Sequence, residues 1–521
     1  MRSLQGFLVV VVVGACASGP VTGPPEVVSV TPSIGSVAGG TRVTLAGKDL
    51  LAEDTITIGG IPCTNVTADG ATISCTTGST DFREGAMDVV VARGDDRAVL
   101  ASAFTYQCMW TTSGGRRSCG AAPAGLVTEQ PITAWITQFQ RPDSYAITTA
   151  ASDNMSDTAD FVLGSQSVWV DTDGTGAVAT VVRAESGPID VRDNVLKIWV
   201  KVDNVAHLAA LDVWLGDSRF ANVYKFRLRS TQSQQWMTDG DWVSFTVPWS
   251  PDNYAVDGTP DRGAITDVEV RVADDGTGNK VRVHLNGLAL VPEPVQRYPH
   301  GVVSFTFDDD WATAIDPGSQ ILAAHDFPAT AYVIMDTVGV SGRATLDDLR
   351  GLQAMGWDVA VHANTDEHHF ARYPTLPATV VEDDIVDARA WLIEHGFKGF
   401  DHCAYPGGEF SGGSDVLGVA ARYFTSCRTI FEKQRETYPP SDARKLRVLL
   451  VTNTMTLAQV EQMVDYAQQD REWLILVFHK IGPSTTDSIE WPATSFAALA
   501  DHVAASGIPV QTVSEVLKLR N

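Results

Sequence analysis

The sequence is poor in positive charge and has no long hydrophobic run. Lys and Arg total 38 against 63 Asp and Glu, which gives a formal net charge of -25. Such a chain repels phosphate backbones and anionic lipid headgroups, so nucleic-acid binding is disfavoured. No apolar run approaches the roughly 20 residues that span a bilayer, which excludes a multi-pass membrane protein.

The sequence also lacks a CxxC motif, since none of the 7 cysteines has that spacing. The absence of this motif argues against a cysteine-ligated zinc site. Cys16 ends a short segment of positive charge, apolar residues and small residues, which is typical of a secretion signal. Val13, Gly14 and Ala15 before it resemble a bacterial lipobox, with an ordinary signal peptide that contains a chance cysteine as the alternative. That resemblance implies an acylated Cys16 and a membrane lipid anchor, and Ala17 in place of Asp implies an outer-membrane or cell-surface location.

The other six cysteines fall into three local pairs. An even number of cysteines in an exported chain predicts disulfides, with free buried thiols as the alternative. The predicted bonds are Cys63–Cys75, Cys108–Cys119 and Cys403–Cys427.

A length of 521 residues predicts several domains. After the signal peptide (1–16) and a Gly/Pro-rich linker (17–26), residues 27–106 show short alternating runs separated by Gly turns, which predicts an all-β sandwich. Val30-Thr-Pro, the Gly39-Gly and Gly59-Gly turns, and the Cys63 and Cys75 pair resemble an IPT/TIG domain. The resemblance implies an immunoglobulin-like spacer or binding module.

Residues 107–297 again alternate like strands, with Asp-Gly turns, and predict a second β-sandwich of jelly-roll type. Indole faces stack on the C–H faces of sugars, so this segment is a candidate carbohydrate-binding domain; the alternative is that the indoles fill its core. Eight of the 13 tryptophans lie here: Trp110, Trp135, Trp169, Trp199, Trp214, Trp236, Trp242 and Trp249.

From residue 298 to 521, apolar runs alternate with helical stretches. This βα repetition predicts a parallel barrel or an open parallel sheet. Catalytic groups of a barrel lie where strands end, so the search narrows to those positions. The predicted strands include 302–307, 329–334, 359–362, 446–451 and 473–478.

Four strand ends, one of them after a further strand predicted around Ala404, carry residues suited to catalysis. Asp308, Asp309 and Asp310 follow the first strand, although such a run also occurs in a helix cap or solvated turn. At the end of the third strand, three histidines and an aspartate within eight residues, 362–369, resemble a metal site. A Tyr-Pro-Gly-Gly turn offers backbone N–H groups at Gly407, and His479 ends an apolar strand that can tune its proton affinity.

In this order the motifs resemble a polysaccharide deacetylase of the NodB-homology type, the fourth carbohydrate esterase family. The resemblance implies a distorted (β/α) barrel with one divalent metal. It implies Asp308 as general base, Asp309 and His362 as metal ligands, and His479 as general acid. The backbone N–H of Gly407 would donate to the oxyanion, at a position where the family has Tyr.

The sequence departs from the family pattern in three places. The family spaces its metal-binding histidines four residues apart, but the fourth residue after His362 is Asp366; His368 is the preferred third ligand, followed by His369 and then Asp366. The family's third-motif Arg is missing, and Arg428 is its candidate replacement, with an ordinary surface Arg as the alternative. The fourth-motif Asp and Trp are not recognisable.

These features predict a metal-dependent hydrolase that removes N-acetyl groups from a cell-surface amino-sugar polysaccharide. Chitin-like chains, peptidoglycan and exopolysaccharide are the candidate substrates. Zinc is the expected metal for nitrogen and oxygen ligands, with cobalt or nickel as alternatives. The alternative functions are an O-acetyl polysaccharide esterase and a non-catalytic carbohydrate-binding protein.

Overall fold

The computed structural model describes residues 23–517 apart from several gaps. The gaps are residues 37–38, 79–84, 95, 108–133, 141–144, 149–150, 164, 184–186, 230–236, 238, 241, 248, 250–253, 293–297, 434, 439 and 484–486. The signal peptide with Cys16, and the predicted Cys108–Cys119 pair, therefore lie outside the described residues. None of the helices in the described ranges is long and apolar enough to span a bilayer.

The N-terminal domain is a sandwich of two sheets with strand orders β1-β3-β7-β6 and β2-β9-β8-β4-β5. Alternation along the strands sends Val43, Leu45, Ile73 and Phe104 into the core between the sheets. The strands are β1 (Glu26–Thr31), β2 (Ile34–Ser36), β3 (Arg42–Leu50), β4 (Thr55–Ile58), β5 (Ile61–Pro62), β6 (Thr64–Ala68), β7 (Gly70–Thr76), β8 (Gly85–Arg93) and β9 (Asp96–Gln107).

The disulfide predicted in this sandwich is not present, because Cys63 and Cys75 are free thiols. A hydrogen bond with Cys63, together with burial, raises the pKa of the Cys75 thiol. The two thiols are therefore in contact without a covalent bond.

The second domain is a larger sandwich of two six-stranded sheets, with antiparallel pairing between the described strands. One sheet has the order β12-β13-β21-β15-β18 with β10 on β21, and the other has the order β11-β14-β20-β16-β17-β19. Its jelly-roll topology stays a prediction. The strands are β10 (Ala134–Thr137), β11 (Tyr145–Thr148), β12 (Ser152–Asp157), β13 (Ser167–Asp171), β14 (Ala179–Arg183), β15 (Asn194–Asp203), β16 (Leu208–Asp217), β17 (Asn222–Arg229), β18 (Trp242–Val247), β19 (Tyr254–Asp257), β20 (Asp267–Asp274) and β21 (Arg282–Pro292).

The C-terminal domain confirms the predicted barrel: seven described strands, β22 to β28, close in sequence order. Strands and helices alternate, as parallel pairing requires. The strands are β22 (Val302–Asp308), β23 (Ala329–Ile334), β24 (Asp358–Ala363), β25 (Gly399–Ala404), β26 (Ser426–Lys433), β27 (Leu446–Leu450) and β28 (Trp473–Phe478), followed by the short pair β29 (Lys480–Gly482) and β30 (Glu490–Pro492). The α-helices are α1 (Gln320–Ala323), α2 (Leu346–Ala354), α3 (Asp366–Ala371), α4 (Ala378–Glu394), α5 (Val416–Ala420), α6 (Leu457–Asp470), α7 (Ala493–Ser506) and α8 (Val513–Leu517).

A disulfide joins two neighbouring strands of the barrel. Cys403 on β25 and Cys427 on β26 are register partners, with Cα atoms 4.4 Å apart. Both side chains face the core outside the barrel wall. The residues that follow them, Ala404 and Arg428, therefore point to the barrel interior.

The second sandwich contacts the barrel through β18. The backbone N–H of Thr246 donates to the Ser441 hydroxyl over 2.8 Å, and the Arg447 guanidinium donates to the Thr246 carbonyl over 2.9 Å. Arg447 also pairs with the buried Glu436. Because Arg447 is the second residue of β27, the contact involves the amino-terminal part of that strand, away from the strand ends that carry the candidate catalytic residues.

The apolar layer between the barrel and its helices should dominate the stability of the C-terminal domain. Phe305 is fully buried, and its ring centre lies 6.2 Å from that of Phe478 and 5.8 Å from that of Phe496. We expect Phe305→Ala to lower the free energy of unfolding by about 3–5 kcal/mol, because it removes buried area and leaves a cavity. Urea unfolding followed by circular dichroism measures this.

Phe370→Ala is the matched control, because this ring is 81% exposed. The same truncation there should change the free energy of unfolding by no more than about 0.5 kcal/mol. Equal effects of the two substitutions would contradict the packing described.

Candidate active site

Asp308 is the last residue of β22, and its side chain points into the barrel. The guanidinium of Arg428 on β26 reaches across the interior, and its Nη2 donates to Asp308 Oδ1. Asp308 is 1% exposed and Arg428 is fully buried. Burial lowers the pKa of Arg428 to about 9, which leaves it charged at pH 7. This ion pair holds the Asp308 carboxylate in one orientation.

Asp309 turns toward two imidazoles. Asp309 and Asp310 both adopt left-handed backbone conformations, with φ of 63° and 43°, so the chain turns sharply after β22. Asp309 Oδ1 lies 3.3 Å from His362 Nε2 and 3.3 Å from His369 Nε2. The ligand atoms of these three residues all lie within 4.8 Å of one another.

The hydrogen bond made by His362 determines which of its nitrogens is free. Its Nδ1 lies 2.9 Å from the carbonyl oxygen of Ala404, which can only accept, so Nδ1 carries the proton. In the neutral ring, Nε2 then directs a lone pair at the Asp309 carboxylate. Asp309 Oδ1 has no hydrogen-bond donor in the described part of the chain. Two acceptors that face each other in a buried site fit a bound cation.

Burial keeps the imidazoles of His369 and His479 neutral. It lowers the pKa of His369 to about 3 and that of His479 to about 4. For Asp309, burial opposes ionisation, but its contact with His362 outweighs this and brings the pKa well below its usual range. An ionised carboxylate beside neutral imidazoles is the protonation state that metal binding requires.

His479 follows β28 and approaches the Asp308 oxygen that Arg428 does not contact. Its Nε2 lies 3.9 Å from Asp308 Oδ2, the same distance that separates this oxygen from His362 Nε2. Nδ1 of His479 is buried and has no hydrogen-bond partner among the described residues. This agrees with the absence of a recognisable fourth-motif Asp.

The structure places His369, the second choice from the sequence, beside Asp309 and His362, and does not bring the preferred His368 to the site. His368 Nδ1 instead lies 2.7 Å from Asp384 Oδ1. The other oxygen of Asp384 accepts from the Tyr373 hydroxyl over 2.7 Å, so the carboxylate is fixed on α4. The third candidate, Asp366, is exposed, with its Oδ1 4.0 Å from His369 Nδ1.

Sequence reasoning missed Trp311. Its Nε1 donates to Asp309 Oδ2 over 3.2 Å, so the second oxygen of this carboxylate is already occupied. Arg343 and Lys480 lie 3.7 and 3.9 Å from the Trp311 ring centre. The position of Trp311 two residues after Asp309 was the available signal, whereas nothing in the sequence pointed to Arg343.

Two family models match the chain. Residues 25–106 match the IPT/TIG domain, and residues 296–422 match the polysaccharide deacetylase family. The barrel is a polysaccharide deacetylase domain. The match to this domain includes Asp308, Asp309, His362 and Gly407, whereas Arg428 and His479 lie beyond its end.

Similar solved structures include the Streptococcus pyogenes deacetylase PplD in complex with acetate, at 20% identity over 31% of this chain and 69% of that chain, with a TM-score of 0.27. The Xyl-CE4 domain of a multidomain xylanase from the hindgut metagenome of Trinervitermes trinervoides is 17% identical over 42% and 89%, with a TM-score of 0.29. A CE4 family pseudoenzyme from Bacillus anthracis is 15% identical over 42% and 66%, with a TM-score of 0.31. These scores are too low to support an inference about chemistry. No curated protein matches the chain.

In the deacetylase domain, Gly407 lies in the turn after β25 with a left-handed φ of 62°. A Cβ atom there would collide with the Arg372 side chain, whose Nη1 donates to the His369 carbonyl. Glycine is therefore favoured beside the segment that carries His369. The oxyanion role of Gly407 stays a prediction.

Proposed function

We propose that the deacetylase domain is a metal-dependent hydrolase that removes N-acetyl groups from an amino-sugar polysaccharide. The observation that carries this proposal is the arrangement of two acidic side chains with different partners. Asp309 faces two imidazole nitrogens, as a metal ligand would, while the neighbouring Asp308 is paired with Arg428 and approached by His479. One carboxylate is thereby available for a cation and the other for proton transfer.

Asp309, His362 and His369 would hold one divalent ion. A carboxylate oxygen and two neutral imidazole nitrogens suit zinc, with cobalt or nickel as alternatives. When bound, the ion would polarise the acetyl carbonyl and acidify water. The Nδ1–H of His362, which donates to Ala404, and the Trp311 indole, which donates to Asp309, would keep the two ligands oriented.

The chain's own residues would then carry the proton transfers. Asp308 takes a proton from the attacking water, and Arg428 keeps its carboxylate aimed at that water. His479 is neutral before the reaction, receives from Asp308 the proton that came from the water, and donates it to the departing nitrogen. The backbone N–H of Gly407 would donate to the developing oxyanion.

The leaving group favours an amide substrate. An amine must be protonated to leave, and His479, whose Nε2 lies 3.9 Å from Asp308 Oδ2, would supply that proton. Chitin-like chains, peptidoglycan and exopolysaccharide are the substrate classes we propose. The same groups would hydrolyse an O-acetyl ester, so an O-acetyl polysaccharide esterase is the second candidate. The Arg428–Asp308 pair supplies the arginine that the sequence pattern lacks, which weighs against the non-catalytic alternative.

Acetate release tests the proposed function. We expect the full chain to release acetate from N-acetylglucosamine oligomers faster than from acetylated xylan. Chelation by dipicolinate should lower this rate at least about 100-fold, and added zinc, cobalt or nickel should restore it, because the cation supplies the Lewis acid. Acetate release that survives chelation and leaves no metal in the protein would contradict the mechanism. Faster release from xylan would favour the esterase. No release of acetate from either substrate would favour the non-catalytic alternative.

The location of the enzyme also stays a prediction. We propose that it is exported and anchored at the cell surface through an acylated Cys16, which lies outside the described residues. This would place the catalytic barrel beside the envelope polysaccharides that are its proposed substrates.

A further inference from the structure

One sheet of the second sandwich carries a row of four side chains across neighbouring strands. Trp169 on β13 is the register partner of His284 on β21, His284 is the partner of Lys201 on β15, and Lys201 is the partner of Trp242 on β18. Neighbouring strands lie about 4.8 Å apart, so the row spans about 14 Å of sheet. These four residues are called the indole row below.

The indole row faces away from the core. Side chains alternate along each strand, and the neighbouring Val168, Val200 and Val243 are buried between the two sheets. The core cluster between the sheets includes Trp249, but not Trp169 or Trp242. Core filling therefore does not account for these two indoles.

Charged neighbours hold the two indoles in place. Trp242 Nε1 donates to Asp160 Oδ1 over 2.7 Å, and the Arg282 guanidinium lies 3.7 Å from the Trp169 ring centre. The ring centres of Trp169 and Trp242 lie 6.5 and 6.0 Å from that of His284. Both rings are thus fixed on either side of His284 and remain partly exposed.

Two further indoles extend the same face. Trp199, two residues before Lys201, packs on Trp135 with ring centres 5.4 Å apart. Trp199 is the register partner of Gly287, where a Cβ atom would lie 2.7 Å from the Trp135 ring. The bare backbone at Gly287 therefore lets the Trp135 ring lie close against the sheet.

Polar groups lie between the indoles. His284 is 4% exposed, and its Nδ1 has no hydrogen-bond partner in the described ranges. Three carboxylates surround its ring: Asp157 and Asp160 lie 3.7 and 4.0 Å from Nδ1, and Asp203 lies 3.6 Å from Nε2. Lys201 pairs with Asp160 over 2.6 Å and balances one of these three negative charges, so negative charge remains in excess.

We propose that this face is a second polysaccharide-binding site, which takes a chain of uncharged or amine-bearing pyranose sugars. The negative face of an indole attracts the C–H groups of a pyranose ring, and carboxylates accept hydrogen bonds from its hydroxyl or ammonium groups. The excess of carboxylates repels acidic polymers. Because Thr246 on β18 contacts the barrel, a bound chain would be kept beside the deacetylase domain. The site does not depend on whether that domain is active.

Native affinity electrophoresis tests the site. The full chain carrying Asp308→Asn, which should slow the proposed turnover strongly, is run through gels that contain glycol chitin, glycol chitosan, xylan, hydroxyethyl cellulose or hyaluronate. We expect at least one of the first four polymers, and not the anionic hyaluronate, to retard the protein. Trp169→Ala and Trp242→Ala should each weaken that retardation about tenfold, since each removes one stacking surface.

Two controls separate this site from folding and from catalysis. Trp214→Ala truncates an indole on the other sheet, between Lys225 and Arg271, and should leave retardation unchanged. Trp242→Phe keeps a stacking ring and should retain most of the binding. When Asp308 is kept, the Trp169→Ala and Trp242→Ala variants should release acetate from short oligomers as fast as the unmodified protein. No retardation by any of the first four polymers, or retardation that both alanine variants retain, would overturn the proposal.

Discussion

Replacing Asp308 by Asn is expected to lower acetate release by about 10²–10⁴-fold while the protein keeps its metal. Asn has nearly the same shape but cannot take the proton from water, and it leaves the buried Arg428 without an anionic partner. Initial rates on N-acetylglucosamine oligomers give the catalytic loss. Metal analysis of the same samples shows whether the proposed ligands Asp309, His362 and His369 still bind an ion.

Asp310→Asn is the matched control, since it makes the same change two residues away. Asp310 accepts from the Thr337 hydroxyl over 2.9 Å, and burial raises its pKa to about 7. A neutral amide there should preserve both the fold and acetate release. If Asp308→Asn retains more than a tenth of the activity of the unmodified protein, or if Asp310→Asn loses as much, Asp308 is not the base.

Replacing His369 by Ala should largely abolish metal binding, whereas the same replacement of its neighbour His368 should not. His369→Ala removes an imidazole whose Nε2 lies 3.3 Å from Asp309, so we expect bound metal to fall below about a tenth of its level, with acetate release falling in parallel. His368→Ala should retain both. Metal content after equilibrium dialysis against limiting zinc, measured alongside acetate release, separates the two.

His368→Ala should instead lower the free energy of unfolding. Its loss leaves the buried Asp384 carboxylate without the 2.7 Å contact to His368, which costs about 1–3 kcal/mol in the free energy of unfolding. His369→Ala should cost less in the metal-free protein, because His369 Nδ1 has no hydrogen-bond partner among the described residues. Loss of metal in His368→Ala with retention in His369→Ala would reinstate the ligand first preferred from the sequence.

These two histidines illustrate the limit of sequence reasoning at this site. Successive residues of a helix differ by about 100° in direction, so only one of His368 and His369 can face Asp309. The choice depends on where α3 begins, and the Thr365 side chain sets this by accepting from the backbone N–H of His368. It also depends on Asp384, which lies on a different helix and draws His368 away.

The cysteines show a similar limit. All three pairings were predicted from proximity in sequence and from export. Cys403 and Cys427 are bonded because they are register partners on adjacent parallel strands, whereas Cys63 and Cys75 are in contact as free thiols. Sequence separation carries no information on whether two Cβ atoms point toward each other.

The sequence by itself determined the order of the domains, the alternation of strand and helix in the barrel, and the strand ends that carry Asp308, Asp309, His362 and His479. These follow from local patterns, because hydrophobic periodicity and turn residues act over a few positions along the chain. Only the tertiary structure decided which side chains meet: Arg428 with Asp308, His369 rather than His368 with Asp309, and Trp169 with Trp242 across one row of a sheet. Such contacts join residues distant in the chain, and their geometry is set by barrel closure and strand register rather than by any local preference of the sequence.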